Sequence, residues 1–306
     1  MTERQRRILH LLVDTYIGTQ TPVPSSIPAE HLSLSPATVR YELIELEQAG
    51  FITKPHTSAG RVPTRQGFRH YALSKLPPSP FPQSTLDRLA QALEGAGGRR
   101  EVLLVQVASR LSGYPAVLRL KPQRAPKLLQ VHLSQLAPGK VLAVAVLSGG
   151  RVREVRLELS FSPTAAQLAE AEARLHGPLE ALDPKKAPSL ALHELFEAIQ
   201  RAFSQGSLEE YREGVGLLLS EPEAQNPSFL RQAIAVFENP ADETLTPPGG
   251  MNLRVGEGEG LSLVQAGVGV SDQVGELSLL GPVRMRYGQA LSVAYALGQV
   301  YMGNQR

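Results

Sequence analysis

The chain has 306 residues, 42% hydrophobic and 20% charged, enough to bury real cores and to form two or three globular domains. It contains no cysteine, which excludes disulfide frameworks and thiolate metal sites and permits a reducing compartment. The net charge of +2 says little until it is divided: residues 1–76 carry nine Lys/Arg against six acids, and no Asp or Glu occurs between Glu47 and Asp87, where Lys54, Arg61, Arg65, Arg69 and Lys75 fall. A one-signed stretch of this kind suits a phosphate backbone, although scattered bases also simply solvate a surface. The N-terminus carries no apolar signal-peptide core, and the longest purely apolar run, 141–147, is far short of the roughly 20 residues a membrane helix needs. Both features point to the cytoplasm.

In chain order, Thr2 and Gln5 have the form of a capping box, and Ile8, Leu9, Leu12 and Tyr16 recur at helical spacing until Gly18 supplies a stop. After Pro22-Val23-Pro24, Ser25 or Ser26 caps a short helix reaching Leu32, with Pro28 in its first turn. Ser33-Leu34 makes a tight turn. Ser35 is an N-cap and Pro36 a first helical residue for a third helix that runs to about Ala49, with Gly50 just beyond. Val39, Leu43 and Leu46 form its packing stripe; Ala37, Arg40, Tyr41, Ile44 and Gln48 face the other way.

Two short helices, a tight turn and a third helix with a polar outer N-terminal face form the arrangement in which a recognition helix enters the major groove. Thr38, Arg40 and Tyr41 then reach base edges or flanking phosphates, and Arg40 suits bidentate pairing with guanine. The alternative is a plain three-helix domain in which Arg40 is a solvated charge. Residues 51–54 and 61–63 read as two strands around the turn-rich tip 55–60, a wing whose small hydroxyl residues, glycine and Arg61 let the backbone approach phosphates. Thr64 caps a further helix carrying Arg65, Arg69 and Lys75, with Phe68, Tyr71 and Leu76 on its packing side.

Ser35-Pro36-Ala37-Thr38-Val39-Arg40, Leu46-Glu47-Gln48-Ala49-Gly50 and the long irregular string Pro55-His56-Thr57-Ser58-Ala59-Gly60-Arg61-Val62-Pro63-Thr64-Arg65-Gln66-Gly67-Phe68-Arg69 closely resemble the signature of the heat-inducible repressor family HrcA. At the far end, Gly281-Pro282-Val283-Arg284-Met285-Arg286-Tyr287 resembles that family's closing motif. The resemblance implies a repressor of chaperone operons that binds an inverted-repeat operator as a homodimer and depends on the GroEL-type chaperonin. Position by position it implies operator contacts from Ser35, Thr38 and Arg40 in the helix and from His56, Thr57, Ser58 and Arg61 in the wing. Tyr41, Lys54 and Arg65 complete the candidate DNA-binding set. Tyr41 stands where the family usually has Asn, Pro36 where it has a small residue such as Ser, and Ser26 where it often has Arg. Asn reads adenine bidentately and Tyr does not, so an altered operator is expected.

Four prolines in 77–82 make a semi-rigid spacer. Helices are expected at 84–95 and 100–112, strands at 115–120, 128–135, 141–147 and 151–159 with hairpin turns at 137–140 and 148–150, then helices at 164–176, 190–203 and 227–238. A Pro- and Gly-rich loop, 240–250, leads to strands near Leu253, 261–270 and 277–280 and a last helix from about Tyr287. This is an α+β multidomain layout with a helical interruption. With the resemblance it becomes a winged helix-turn-helix at 1–76, a linker and connecting helix at 77–100, a GAF-like domain formed by 101–189 and 251–306, and an inserted dimerisation domain at 190–250. The apolar stripe Leu192, Leu195, Phe196, Ile199 and Phe203 suits either a subunit interface or ordinary core.

Enzymatic readings find no support in the sequence. His193-Glu194 lacks the second histidine of a zinc-protease helix, and the seven histidines, four of them in the first 76 residues, show no common metal spacing. Gly267-Val268-Gly269 lacks the third glycine of a dinucleotide loop, and 256–260 would set carboxylates where a phosphate must sit. No catalytic residue, metal or cofactor is expected. A repressor of another regulon, responsive to a small ligand held by the GAF-like domain, is the alternative to a chaperone-operon repressor.

Overall fold

The computed structural model describes residues 1–55, 60–122, 127–147, 152–204, 208–239, 244–270 and 273–303. The expected turns at 55–60 and 148–150 lie largely or wholly outside these residues. The chain divides into two compact units, one made of Met1–Arg119 with Glu210–Arg306 and the other of Leu120–Glu209.

In the first unit, α1 (Glu3–Thr19) starts on the expected capping box, Thr2 Oγ1 accepting from Gln5 N–H and Gln5 Oε1 from Thr2 N–H. It ends one residue past Gly18, on a left-handed Gln20. Helix α2 (Ser26–Leu32) forms without a side-chain cap at Ser25, and a left-handed Ser33 turns the chain into α3 (Pro36–Gln48). The periodicity of α1 and α3 is used as expected: Ile8, Leu9, Leu12 and Val13 meet Val39, Leu43 and Leu46, all at most 3% exposed. Strands β1 (Ile52–Thr53) and β2 (Val62–Pro63) pair antiparallel, Ile52 opposite Pro63. Helix α4 (Arg65–Leu73) follows its Thr64 cap and packs Phe68 and Tyr71 inward. Lys75 and Leu76 fall beyond its end, and Leu76 is exposed rather than packed, because the helix stops before it.

Helices α5 (Gln83–Gly95) and α6 (Arg100–Ser112) lead to β3 (Ala116–Pro122). The second unit then holds β4 (Lys127–Ala137), β5 (Lys140–Leu147), β6 (Val152–Glu158), α7 (Ala165–Arg174), the short β7 (Gly177–Pro178) and α8 (Leu190–Ser204). Its strands form an antiparallel sheet in the order β6-β5-β4-β7. One face, with Val131, Leu133, Val141, Ala143, Ala145 and Leu147, packs on Leu168 and Ala171 of α7 and on the α8 stripe Leu192, Leu195, Phe196, Ile199 and Phe203. That stripe is therefore core.

The chain returns to the first unit with β8 (Glu209–Glu213), α9 (Pro227–Glu238), β9 (Met251–Glu257), β10 (Leu261–Val270), β11 (Gln273–Pro282) and α10 (Tyr287–Gly303). Its main sheet runs β8-β3-β11-β10-β9. Helix α10 lies against β10, where Gly298 faces Ala266 and Val268, while Phe237 and Val236 of α9 pack on Val117, Leu263 and Leu280 of the sheet. The expected boundaries need correction. The strands 127–158 do not join the sheet of 251–282, and α8 packs on them, so the main sheet is interrupted between β3 and β8, where the compact unit 120–209 lies, and not at 190–250. Helix α9, placed in the insertion by the sequence reading, is part of the main-sheet body because its apolar side covers β3, β10 and β11.

Candidate nucleic-acid interface

The N-terminal residues build a cationic groove from local parts. Ser35 Oγ accepts from Thr38 N–H at 3.0 Å and lies 2.8 Å from Thr38 Oγ1, so both hydroxyls hold the start of α3. Ser35 remains exposed and Thr38 is half-buried. With the packing stripe buried, Arg40, Tyr41 and Ile44 project outward, Tyr41 63% and Ile44 47% exposed. Large apolar side chains left in water on a helix that also bears Arg40 suit contact with thymine methyl groups.

The second wall of the groove is the β1–β2 hairpin, which Val23 extends: Val23 N–H donates to Arg61 O and Arg61 N–H to Val23 O, both at 2.8 Å. Gly60 permits this approach, since a Cβ there would lie 2.4 Å from the Val23 carbonyl. Between helix and hairpin runs a depression of about 390 Å³ lined by Val23, Pro24, Ser25, Arg40, Leu43, Ile44, Lys54, Gly60 and Arg61. Three sequence-predicted residues, Arg40, Lys54 and Arg61, thus meet in one groove, with Tyr41 beside them on the outer face of α3 and Ser35 and Thr38 at its start. His56, Thr57 and Ser58 lie outside the described residues.

Two predicted contacts are placed differently. Arg61 turns its guanidinium to Glu47 of α3 at 3.0 Å, and its side chain is only 17% exposed, so it ties the hairpin to the helix. Arg65 is not in the groove at all: its Nε–H donates to the Val255 carbonyl of β9 at 3.1 Å. A residue that the sequence reading passed over also matters. Glu42, on α3, is 7% exposed and takes an ion pair from Arg4 of α1, Nη1 to Oε1 at 3.2 Å, fixing the two helices. Its spacing, three residues from Val39 and four from Leu46, was the available signal.

Elsewhere in the N-terminal residues, His10 of α1 and His70 of α4 lie with ring centroids 5.7 Å apart and planes tilted by 47°, with Phe51 and Tyr71 edge-on to His70 and His10 respectively. Burial lowers the affinity of both rings for a proton, reinforced at His10 by His70, Lys75 and Arg6 and at His70 by Arg6. Tyr71 Oη donates to the Asp14 carboxylate, and burial with that partner pushes its phenol far up. Both rings pack against aromatic neighbours of the N-terminal core.

The main-sheet body holds a second polar cluster. Arg119 donates to Glu276 Oε1 at 2.8 Å with both side chains at most 2% exposed, and Gln265, Ser278 and Thr246 also donate to Glu276. Burial pushes this carboxyl up, but the bonds from Thr246 and Arg119 outweigh burial and hold it below the ordinary range. The cluster floors a cavity of about 130 Å³ under α9.

The family description "HrcA protein C terminal domain" fits residues 103–291. The chain belongs to the HrcA family of heat-inducible transcription repressors. The heat-inducible transcription repressor HrcA of Methylococcus capsulatus is 30% identical to it, over 95% of this chain and 92% of that one. The HrcA protein of Moorella thermoacetica is 28% identical, over 96% and 94%. A crystal structure described only as that of a hypothetical protein shares its fold, with a TM-score of 0.62 and 21% identity over 100% of this chain and 99% of that chain. This HrcA chain is mixed α and β throughout, and among its described residues no helix is long and apolar enough to cross a membrane.

Proposed function

We propose that this HrcA protein represses chaperone operons by binding an inverted-repeat DNA operator as a homodimer, and that a GroEL-type chaperonin modulates its activity. The observation that carries the reading is the groove in which Arg40, Lys54 and the exposed Tyr41–Ile44 face of α3 stand beside a two-stranded hairpin. We read residues 1–76 as a winged helix-turn-helix with α3 as recognition helix, the main-sheet body as GAF-like, and 120–209 as the inserted unit. Arg40 reads a base edge and Lys54 a phosphate. Ser35 and Thr38 shape the helix start, and the wing residues His56, Thr57 and Ser58 extend the contact.

The dimer rests on the inserted unit. Its sheet presents to the outside Leu142, Val144 and Val146, each only half-buried, next to Val152 at 67% exposure, opposite the face that α7 and α8 cover. This apolar strip along β5, flanked on the same face by Gln130, His132 and Ser134 of β4 and by Glu154 and Arg156 of β6, is the surface we assign to a second copy. Two half-sites held together supply the specificity that one module lacks. The chaperonin enters through the family resemblance: a cytoplasmic repressor whose body needs folding assistance reports on free chaperonin. The test is footprinting on DNA upstream of chaperone genes, with purified protein with and without chaperonin, over a salt series. The expected result is a protected inverted repeat, stronger with chaperonin, with affinity falling by about 0.9 log units per log unit of salt for each phosphate neutralised. Protection restored by a metabolite but not by chaperonin would overturn the chaperone-operon assignment in favour of a ligand-responsive repressor.

A further inference from the structure

Two of the signature segments, Thr64-Arg65 and Gly281 to Tyr287, lie far apart in sequence and meet at one point of the fold. Arg65, the first residue of α4, lays its side chain on Gly256 at the end of β9 and donates to the Val255 carbonyl at 3.1 Å. Gly256 has φ +63, and a Cβ on it would lie 2.9 Å from Val283 Cγ2 and 3.0 Å from Arg65 Cγ. Any side chain there would be strained and would displace Arg65 or Val283. The position is fixed from below by one directional chain of hydrogen bonds. Gly256 N–H donates to Ser262 Oγ at 2.9 Å, Ser262 Oγ lies 3.0 Å from Tyr287 Oη, and Tyr287 Oη–H donates to the Val283 carbonyl at 2.6 Å. With Ser262 Oγ accepting from Gly256 and Tyr287 donating to Val283, the Ser262 proton is left for Tyr287, so every donor has one acceptor. Ser262 and Tyr287 are fully buried. Arg284 locks the same segment from its other side, its guanidinium bonded to Glu221 at 2.6 Å and to Glu223 at 2.6 and 2.7 Å.

We propose that the Gly281–Tyr287 segment and Gly256 form a seat for Arg65 that sets the angle of the DNA-binding unit on the main-sheet body. Arg65 is then a positioning residue for operator binding and does not contact phosphate. The reason is geometric. A guanidinium held at 3.1 Å by a backbone carbonyl, with its aliphatic stem against a side-chain-free backbone, fixes the first turn of α4, and α4 packs on α1, which carries α3. An operator of two half-sites at fixed separation rewards a fixed angle, because the second half-site binds as an intramolecular step whose effective concentration falls as the unit explores more orientations. The proposal rests on the dimeric, inverted-repeat reading above.

The experiment uses full-length protein and duplexes in which the two half-sites are moved apart by zero to several base pairs, with a single half-site and an unrelated duplex as references. Wild type is expected to prefer one spacing by tenfold or more. Arg65→Met keeps the stem and loses the hydrogen bond, and Gly256→Ala crowds the seat. Both should flatten the spacing preference several-fold while leaving the single half-site, the unrelated duplex and the salt slope unchanged. Equal weakening on every duplex, with the salt slope reduced by about one unit, makes Arg65 a phosphate ligand and overturns the proposal. Where wild type prefers one spacing, the same preference kept in both variants overturns it as well. A second readout needs no DNA: the chain has no cysteine, so spin labels at Gln48→Cys and Ala235→Cys, both exposed, report the distance between the DNA-binding unit and the body. Arg65→Met should broaden that distribution, and an unbroadened one refutes the seat. If the distribution broadens while wild type shows no preference for any paired half-sites, the seat stands and the inverted-repeat reading fails.

Discussion

The groove between α3 and the hairpin and the cluster around Glu276 both gather charge, and they treat it in opposite ways. Arg40 and Lys54 stand in water, where a cation costs little to keep and stays available to an incoming phosphate. Arg119 and Glu276 are sealed in the sheet, where each charge is tolerable only because partners surround it. Exposed charge is a tool for binding; buried charge specifies one packing. Losing a residue from the first should cost affinity and leave stability alone, and losing one from the second should do the reverse.

The largest effect expected from this contrast is Glu276→Ala. It takes the carboxylate away from the Arg119 guanidinium and from the donors Thr246, Gln265 and Ser278, and should destabilise the main-sheet body by roughly 3–5 kcal/mol in urea unfolding. A loss below about 1 kcal/mol would mean that water reaches the site and that the contrast is false. Next, Arg40→Ala should weaken operator binding by about 1–3 kcal/mol and relax selectivity at one base pair, while stability stays within about 0.5 kcal/mol of wild type. No change in either affinity or stability would return Arg40 to the role of a solvated charge. Ser35→Ala sharpens the comparison from between the extremes, since its hydroxyl caps α3 inside the binding unit: about 1 kcal/mol of stability should be lost. The binding defect should be no larger than the fraying of α3 explains.

The smallest effect concerns pH. His10 and His70 hold protons less readily folded than at the ordinary value of 6.5. Above that value both are neutral in either state and contribute no pH dependence; as pH falls below it the unfolded chain takes up protons that the fold resists, so stability declines. Asp14, the acid that raises the proton affinity of His10, is outweighed by burial and by the cations Arg6 and Lys75 around the pair. Replacing both histidines by Gln should flatten the decline in stability of the N-terminal residues as pH falls below about 6.5, measured by circular dichroism. A slope that persists would place the titration elsewhere.

The sequence by itself determined what depends on residues a few positions apart. The capping box of α1, Pro36 at the start of α3, the buried stripe Val39–Leu43–Leu46 and the outward Arg40 and Tyr41 all follow from 3.6-residue periodicity and local backbone hydrogen bonds. The PHTSAGRVPT string, with the closing motif, carries the family resemblance in local sequence alone. Tertiary structure alone decided the rest. Arg61 and Arg65 sit in the same acid-free stretch and look alike in sequence, yet one is claimed by Glu47 and the other by a carbonyl 190 residues away. Helix α8 has the same amphipathic pattern whether it meets a partner or its own sheet, and only the pairing of β4, β5 and β6 showed which, moving the interruption to 120–209. A hydrophobic stripe announces that it will be buried, not against what, because burial rewards area without regard to which chain segment supplies it.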